Sequence, residues 1–270
     1  MECKEQQYGN DIRTGFIELP SGRKQIKYSV VDGLAIFEGD IVLCNSKEME
    51  TAGEIDFAVV ITGDQFRWHD GIIPYTIDPN LNNQERINDA IAHWQERTCI
   101  KFVPRSSEPN FVHFRTANGC MSSVGMIGGQ QDIGLANGCD TGRVIHEIGH
   151  AVGLFHEQSR EDRDNFVKIL WENIEAGKEF NFDKHITDAD DYGPYDYGSI
   201  MHYERYAFSK NGQPTIEPIQ SGVNIGQRIG LSDGDVAAVN ALYQCILKHN
   251  IEPNSVAVSG PQILDHLDVF

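Results

Sequence analysis

Residues 146–156, HEIGHAVGLFH, set the strongest structural requirement in this chain, because they carry three histidines at metal-ligand spacing. His146 and His150 are four residues apart, so on a helix they share one face and can bind the same metal ion. His156 lies too far along to join them unless the helix ends first. Gly153 can adopt the left-handed conformation that such a turn needs. The stretch therefore predicts a helix, a turn at Gly153 and three imidazole ligands.

The residue types indicate a catalytic zinc site. Three protein ligands leave a fourth position for water, whereas a structural zinc site is closed by four protein ligands. Glu147 cannot be a ligand if both neighbouring histidines bind, so it is placed to act as a general base on that water. A lone His-Glu-x-x-His pair on a solvated helix face is the alternative, but a third histidine behind a glycine favours zinc.

A methionine turn beneath the metal is the next feature that such a site requires, and residues 197–206, YGSIMHYERY, supply Met201. Alone, this methionine would be interpreted as core filler. Together, His-Glu-x-x-His-x-x-Gly-x-x-His-Glu-x-x-Arg-x-Asp-Arg-Asp and the later Ser-x-Met-His-Tyr resemble the astacin family of metzincin zinc endopeptidases. The resemblance continues through DGIIPYTI, RTCIKFVPR and GCMSSVG, and it covers the chain from about Val59 to Cys245.

The resemblance implies an α+β fold, namely a two-lobed metzincin domain. A twisted, mainly antiparallel-edged sheet and two long helices would lie above the zinc cleft, and the lower lobe would be irregular. Helical spacing predicts four helices, at residues 83–98, 140–155, 171–182 and 232–243. Asp140 or Thr141 would cap the second helix, and Ser232 or Asp233 the last. Alternating residues predict strands at residues 100–105 and 110–116.

The same resemblance implies the roles of the site residues. One zinc ion would be bound by three ligands, His146, His150 and His156. Tyr203, two residues after the methionine, would approach the zinc and donate a hydrogen bond to the oxyanion. Glu157 would meet the new N-terminal ammonium group after activation. Extended protein or peptide substrates would lie in the cleft, along an edge strand around residues 120–125.

The chain is expected to have three parts. Residues 1–58 are interpreted as an inhibitory propeptide, residues 59–245 as the protease domain, and residues 246–270 as an extension of unknown role. Residues 46–57, SKEMETAGEIDF, are polar and acidic and therefore predict a linker. Val59 would lie at or near the mature N-terminus.

The propeptide contains FEGD, residues 37–40, which resembles the astacin prosegment motif whose aspartate occupies the fourth zinc position. Asp40 is therefore the first candidate for the residue that keeps the precursor latent. Cys44 and Cys3 are alternatives, because a thiolate is a better zinc ligand than a carboxylate. A disulfide between these two cysteines, or two inert thiols, is the remaining possibility.

Six cysteines in 270 residues are compatible with an oxidising compartment. The resemblance implies the disulfides Cys99–Cys245 and Cys120–Cys139, although the sequence alone allows three pairings of these four residues. The start MECKEQ contains no hydrophobic signal segment, so a cytosolic protein is one alternative. We interpret the chain instead as a secreted precursor from which the signal segment has been removed.

The net charge of -18 opposes nucleic-acid binding, because phosphates would be repelled. No apolar run approaches the roughly 20 residues that span a bilayer. The expected partners are thus protein substrates and the chain's own propeptide.

The sequence predicts a latent, secreted zinc endopeptidase. The alternatives are a catalytically silent zinc-binding or adhesion protein on the same scaffold, and a metzincin of another family. Retention of Glu147, Tyr203 and the three histidines favours the enzyme.

Overall fold

The computed structural model describes residues 9–19, 22–51, 64–184 and 191–245. Within these ranges the chain forms four α-helices and three β-sheets. The strands are β1 (Asp11–Leu19), β2 (Gly22–Val31), β3 (Leu34–Phe37), β4 (Ile41–Asn45), β5 (Ile72–Ile77), β6 (Lys101–Pro104), β7 (Phe111–Thr116), β8 (Gln130–Leu135), β9 (Val167–Ile169) and β10 (Ile216–Pro218). The helices are α1 (Ser46–Thr51), α2 (Glu85–Arg97), α3 (Thr141–Val152) and α4 (Asp233–Leu242). None of them is long and apolar enough to cross a membrane.

The N-terminal strands β1 to β4 form an antiparallel meander in chain order. Asp32 and Gly33 connect β2 to β3 with φ values of 52° and 80°, as a two-residue hairpin of the I′ type requires. One face of the sheet buries Ile17, Tyr28 and Phe37 against residues of the later chain, which include Val124 and Phe180. The N-terminal sheet is therefore packed onto the rest of the molecule.

The predicted linker over residues 46–57 is wrong at its start, where the chain forms α1. Met49 is the reason: its side chain is buried against β1, and a Cβ at Gly15 would lie only 3.2 Å from it. One apolar side chain thus anchors a polar segment to the sheet. The remainder of the predicted linker and the predicted mature terminus at Val59 lie outside the described residues, as does the 246–270 extension.

The central sheet has the order β6-β5-β7-β8, and all of its strands pair in parallel. The expected antiparallel edge is reduced to one bridge, between Met121 and Gly134. On its outer side this edge meets the N-terminal sheet, because Ile41 pairs in parallel with Ser122. Both strands predicted by alternation, at residues 100–105 and 110–116, are confirmed as β6 and β7.

Helices α2 and α3 pack together over the central sheet, and the two helices predicted there are confirmed. Three buried donors bind carbonyl groups of α3: the indole N–H of Trp94 donates to Ile145, that of Trp68 donates to Ala151, and the hydroxyl of Tyr243 donates to Val152. These bonds fix α3 against α2 and against the segments that carry Trp68 and Tyr243. Disulfides join Cys99 to Cys245 and Cys120 to Cys139, the pairing that the resemblance implies.

The lower half is largely irregular, as expected, and the strand pair β9–β10 lies within it. The helix predicted over residues 171–182 is wrong: the chain forms two short 3₁₀ turns, Trp171–Asn173 and Glu179–Phe182. Gly177 lies between them with φ of 85°, a conformation that interrupts a right-handed helix. The predicted C-terminal helix is confirmed as α4, which Ser232 caps in a capping box with Asp235.

Candidate active site

Helix α3 carries the first two predicted ligands, His146 and His150, on its buried face. Asp140 begins the helix by accepting a hydrogen bond from the Arg143 backbone N–H at 2.9 Å. Gly153 ends it with φ of 123°, as its position in the sequence predicts. The chain then turns back and brings His156, also buried, to the same point.

The three histidines converge on the carboxyl group of Asp40, which lies in the turn after β3. Asp40 Oδ2 lies 3.3 Å from His146 Nε2, and Oδ1 lies 3.6 Å from His150 Nε2 and 3.3 Å from His156 Nε2. One ligand atom from each of the four residues lies within 4.8 Å of the others, so this buried group can hold a metal ion. Cys44 is not a member; its Sγ donates to the Asn45 carbonyl at 3.1 Å, and Cys3 lies outside the described residues.

The other nitrogen of each ring is already bound. Nδ1 of His146 and Nδ1 of His150 donate to the carbonyl groups of Ile200 and Leu154, each at 2.8 Å. A carbonyl oxygen only accepts, so these two rings carry their proton on Nδ1 and direct the Nε2 lone pair at the centre of the cluster. Such outer hydrogen bonds fix the tautomer and the orientation of metal-binding histidines.

Zinc fits this set of donors. Asp40 Oδ1, His150 Nε2 and His156 Nε2 are buried without a hydrogen-bond partner, which is costly unless a cation binds them. Burial lowers the pKa of His156, but the carboxyl groups of Asp40 and Glu38 outweigh it and raise that pKa to about 9. The pocket therefore stabilises positive charge, and imidazole and carboxylate are ligands that zinc accepts.

The methionine turn supports the cluster from below. Asp235, in the first turn of α4, accepts hydrogen bonds from Ser199 Oγ at 2.6 Å and from the Ile200 N–H at 2.9 Å. The carbonyl group of Ile200 in turn receives His146 Nδ1. Met201 is buried beneath α3, where a Cβ at Gly149 would lie 2.6 Å from its sulfur. A chain of contacts thus connects α4 to His146, the first predicted ligand.

The two predicted catalytic side chains, Glu147 and Tyr203, are both fully buried. Glu147 follows the first ligand directly in α3. The ring of Tyr203 packs edge-on against His156, with 4.6 Å between the ring centroids. Its hydroxyl donates to the backbone carbonyl of Glu38. The tyrosine is therefore engaged by the N-terminal segment.

Comparison with known proteins agrees with this geometry. Residues 60–244 match the family model described as Astacin, which is a family of peptidases. The chain belongs to the astacin family.

Two relatives illustrate the match. The chain is 49% identical over 185 residues to zinc metalloproteinase nas-13 from Caenorhabditis elegans. The matched region covers 66% of this chain and 41% of that protein. The solved structure of high choriolytic enzyme 1, a hatching enzyme zinc-protease from Oryzias latipes (medaka fish), has 42% sequence identity and a TM-score of 0.62, and covers 66% of this chain and 93% of its own. The chain thus spans about two fifths of the length of the nematode relative.

The sequence motifs as a whole, with the expected propeptide and mature start, also predict a likeness to myroilysin. The solved structure of myroilysin is 20% identical with a TM-score of 0.47, and covers 67% of this astacin and 96% of its own chain. At this level of similarity, the structure of myroilysin adds nothing to the family assignment.

Glu157 of this astacin lies beside a cavity of about 700 Å³, which is also lined by Tyr195 and Asp196. Burial raises the pKa of Glu157 to about 8, although the backbone N–H of Asp196, 2.7 Å from Oε1, and the charge of Arg160 oppose the shift. The carboxyl group is thus held where ionisation is unfavourable, and a cation placed beside it would stabilise its charged form.

Sequence reasoning missed three residues of the astacin site. Asp235 could have been found, because Ser232-x-x-Asp235 has the spacing of a capping box. Gly149 occupies a variable position of the zinc motif, and only the contact with Met201 shows why a side chain is excluded there. Glu38 contributes a carboxyl group to His156; it lies within FEGD, but the resemblance of that motif assigns a role only to Asp40.

Proposed function

We propose that this astacin is the latent precursor of a secreted zinc-dependent endopeptidase, with residues 1–58 as inhibitory propeptide, 59–245 as protease domain and 246–270 as an extension. The observation that carries the proposal is the convergence of three histidine Nε2 atoms and Asp40 within 4.8 Å, beside the buried Glu147. The two disulfides and the net charge of -18 support an oxidising compartment and protein rather than nucleic-acid partners.

Zinc, when bound, supplies Lewis-acid activation of water and of the scissile carbonyl group. Glu147 takes the proton from the attacking water and passes it to the leaving nitrogen. In the precursor the Tyr203 hydroxyl donates its hydrogen bond to the Glu38 carbonyl. Once that carbonyl has left with the propeptide, the hydroxyl donates a hydrogen bond to the developing oxyanion. Glu147 thus moves a proton from water to the leaving nitrogen, whereas Tyr203 keeps its proton and directs it at the oxyanion.

Latency has two components in this proposal. Asp40 would hold the metal together with the three histidines, and would thereby exclude the water that the reaction needs. The backbone beside it also covers the substrate edge, because the Ser122 N–H donates to the Asp40 carbonyl at 3.0 Å and the Val42 N–H donates to the Ser122 carbonyl at 2.9 Å. An extended substrate needs the same edge at residues 120–125. The propeptide and the substrate therefore exclude one another.

Activation would place the new terminal ammonium group, at or near Val59, against Glu157. The nearby cavity of about 700 Å³ offers room for the entering chain. Its positive charge would favour ionisation of Glu157, because an opposite charge lowers the pKa of a carboxyl group. The pair would then hold the mature N-terminus inside the domain.

Hydrolysis of unfolded casein tests the proposal. The full chain should be inactive, and the chain cleaved near Val59 should hydrolyse casein. A zinc chelator should abolish that activity, and added zinc should restore it. Cleaved protein that binds zinc but leaves casein intact would instead support the catalytically silent alternative.

Three precursor variants test the latency ligand. Asp40→Ala should be active without cleavage, whereas Cys44→Ser and Cys3→Ser should remain inactive. Activity in either cysteine variant, or activation of the precursor by mercurials, would assign the role to a thiol. A precursor crystal structure separates the two by distance, because zinc lies about 2.3 Å from sulfur and about 2.0–2.2 Å from a carboxylate oxygen.

A further inference from the structure

The turn between β3 and β4 presents two carboxyl groups to one imidazole. Asp40 Oδ1 lies 3.3 Å from Nε2 of His156, and Glu38 Oε2 accepts a hydrogen bond from Nδ1 of the same ring at 2.7 Å. The second oxygen of Glu38, Oε1, accepts from Ser159 Oγ at 2.8 Å. Both carboxyl groups are almost completely buried. The propeptide turn therefore holds the third metal ligand at both ring nitrogens.

The backbone conformation of Glu38 is unusual for a residue that has a side chain. Its φ is 46°, in the left-handed region that a side chain with a Cβ rarely adopts, and Gly39 follows with φ of 81°. A non-glycine residue in that region is strained relative to glycine. Glycine would adopt the conformation more easily, so the two hydrogen bonds from His156 and Ser159 give a reason for a glutamate here.

The three ligands differ in what supports them. His146 and His150 donate Nδ1 to carbonyl groups of Ile200 and Leu154, which belong to the same 59–245 segment as the ligands. His156 donates Nδ1 to a side chain of the 1–58 segment. Removal of that segment would leave two supporting hydrogen bonds in place and take away the third.

We propose that Glu38 is a metal-positioning residue that acts only in the precursor, so that the precursor binds zinc more tightly than the mature enzyme does. The inference rests on the proposed function in one respect, namely that residues 1–58 are removed on activation. A carboxyl group on the distal nitrogen fixes the ring and increases its basicity, and loss of such a partner weakens metal binding about 10–100-fold. The precursor is therefore the form that takes up zinc.

The test measures the zinc dissociation constant of the full chain by competition with a chromogenic chelator, in a Glu147→Gln background that prevents self-cleavage. Glu38→Gln should weaken zinc binding by the precursor about 10-fold or more. Glu48→Gln, the same change at an exposed propeptide position, is the matched control and should have no effect. Equal zinc affinity of the Glu38→Gln precursor and its parent would overturn the proposal.

A double-variant cycle separates positioning of His156 from general loosening of the propeptide. If Glu38→Gln acts only by releasing Asp40 from the site, then adding it to Asp40→Ala should cause no further loss of zinc affinity. If Glu38 acts through His156, the double variant should bind zinc several-fold more weakly than Asp40→Ala alone. The absence of that further loss would refute a role for Glu38 in positioning His156.

The mature enzyme provides the last control. Cleavage of the parent and of the Glu38→Gln precursor yields the same polypeptide, so the two products should bind zinc equally and less tightly than the parent precursor. A mature form that binds zinc as tightly as its precursor would contradict the proposal. Casein hydrolysis by a mature enzyme that retains Glu147 reports the proposed function separately, so each can fail without the other.

Discussion

Gly149 and Met201 are in direct contact between helix α3 and the methionine turn: a Cβ on Gly149 would lie 2.6 Å from the Met201 sulfur. Met201 is 2% exposed, so its side chain has little space into which it could move. The preceding residue of the turn, Ile200, accepts the hydrogen bond from His146. The close packing of helix and turn therefore bears on the orientation of His146, the first predicted metal ligand.

Gly149→Ala should destabilise the protein by about 1–3 kcal/mol, because the added methyl group overpacks the contact with Met201. The measurement is the free energy of unfolding in urea. Met201→Ala alone should also destabilise, through the cavity it leaves. In the double variant the new methyl group has room, so the two effects should sum to more than the measured loss. Strictly additive losses would show that the contact is unimportant.

Glu147→Gln should lower the turnover of the mature enzyme by about 10²–10⁴-fold and leave zinc bound, because only the general base is lost. Casein hydrolysis and the zinc content of the dialysed protein are the measurements. Glu172→Gln, at an exposed position of the lower half, is the matched control. Comparable activity in the Glu147 variant would rule out the mechanism.

Tyr203→Phe should lower kcat of the mature enzyme by about 10²–10³-fold with little change in KM, because its hydroxyl acts chiefly on the oxyanion. Steady-state kinetics on a fluorogenic peptide separates the two parameters. Tyr206→Phe is the matched control, since Tyr206 is 51% exposed. A change confined to KM would remove Tyr203 from the catalytic residues.

His202 should make the precursor sensitive to acid. Burial lowers its pKa to about 4, and its ring is satisfied in the neutral form, with Tyr195 donating to Nε2 at 2.7 Å and Nδ1 donating to the Tyr203 carbonyl at 2.8 Å. In the unfolded chain the same imidazole takes up its proton at a higher pH, about 6.5. The stabilising contribution is therefore complete above about pH 6.5 and is lost as the pH falls toward 4, by up to roughly 3 kcal/mol.

The measurement is the free energy of unfolding of the precursor between about pH 7 and about pH 4.5, which spans the two pKa values. His202→Gln should be less stable than the parent at neutral pH but lose less stability on acidification. His69→Gln is the matched control, because the His69 side chain is 95% exposed. Equal slopes in the His202 variant and the parent would assign the acid sensitivity to other groups.

The sequence determined those parts of this astacin that depend on neighbouring residues. Helix α3 follows from the cap at Asp140, the buried face and the turn at Gly153, all of which lie within one short stretch. The spacing of His146 and His150 is a property of the helix itself. The cap of α4 at Ser232 is equally local. Each rests on hydrogen bonds between residues that are only a few positions apart.

Tertiary structure decided what those local elements meet. Asp40 reaches the histidines from 106 residues away from His146, and Glu38 lies 118 residues away from His156. The resemblance of FEGD to the astacin prosegment motif predicts the zinc contact of Asp40, but residue types and spacing by themselves indicate neither contact. The same applies to α1, which forms in a polar segment because Met49 finds an apolar surface. In each case the stabilising contact is made with a surface that only the folded chain assembles.

In the segment at residues 171–182, tertiary contacts outweigh a local preference for helix. Its spacing predicts a helix, yet Gly177 takes a positive φ and the neighbouring backbone bonds elsewhere, with the Glu175 N–H donating to the Phe208 carbonyl at 2.9 Å. A weak helical preference of a few tenths of a kcal/mol per residue is easily outweighed by burial of Phe180 and Phe182 in separate clusters. Local propensities are small and long-range burial is large, so tertiary packing determines the conformation wherever the two conflict.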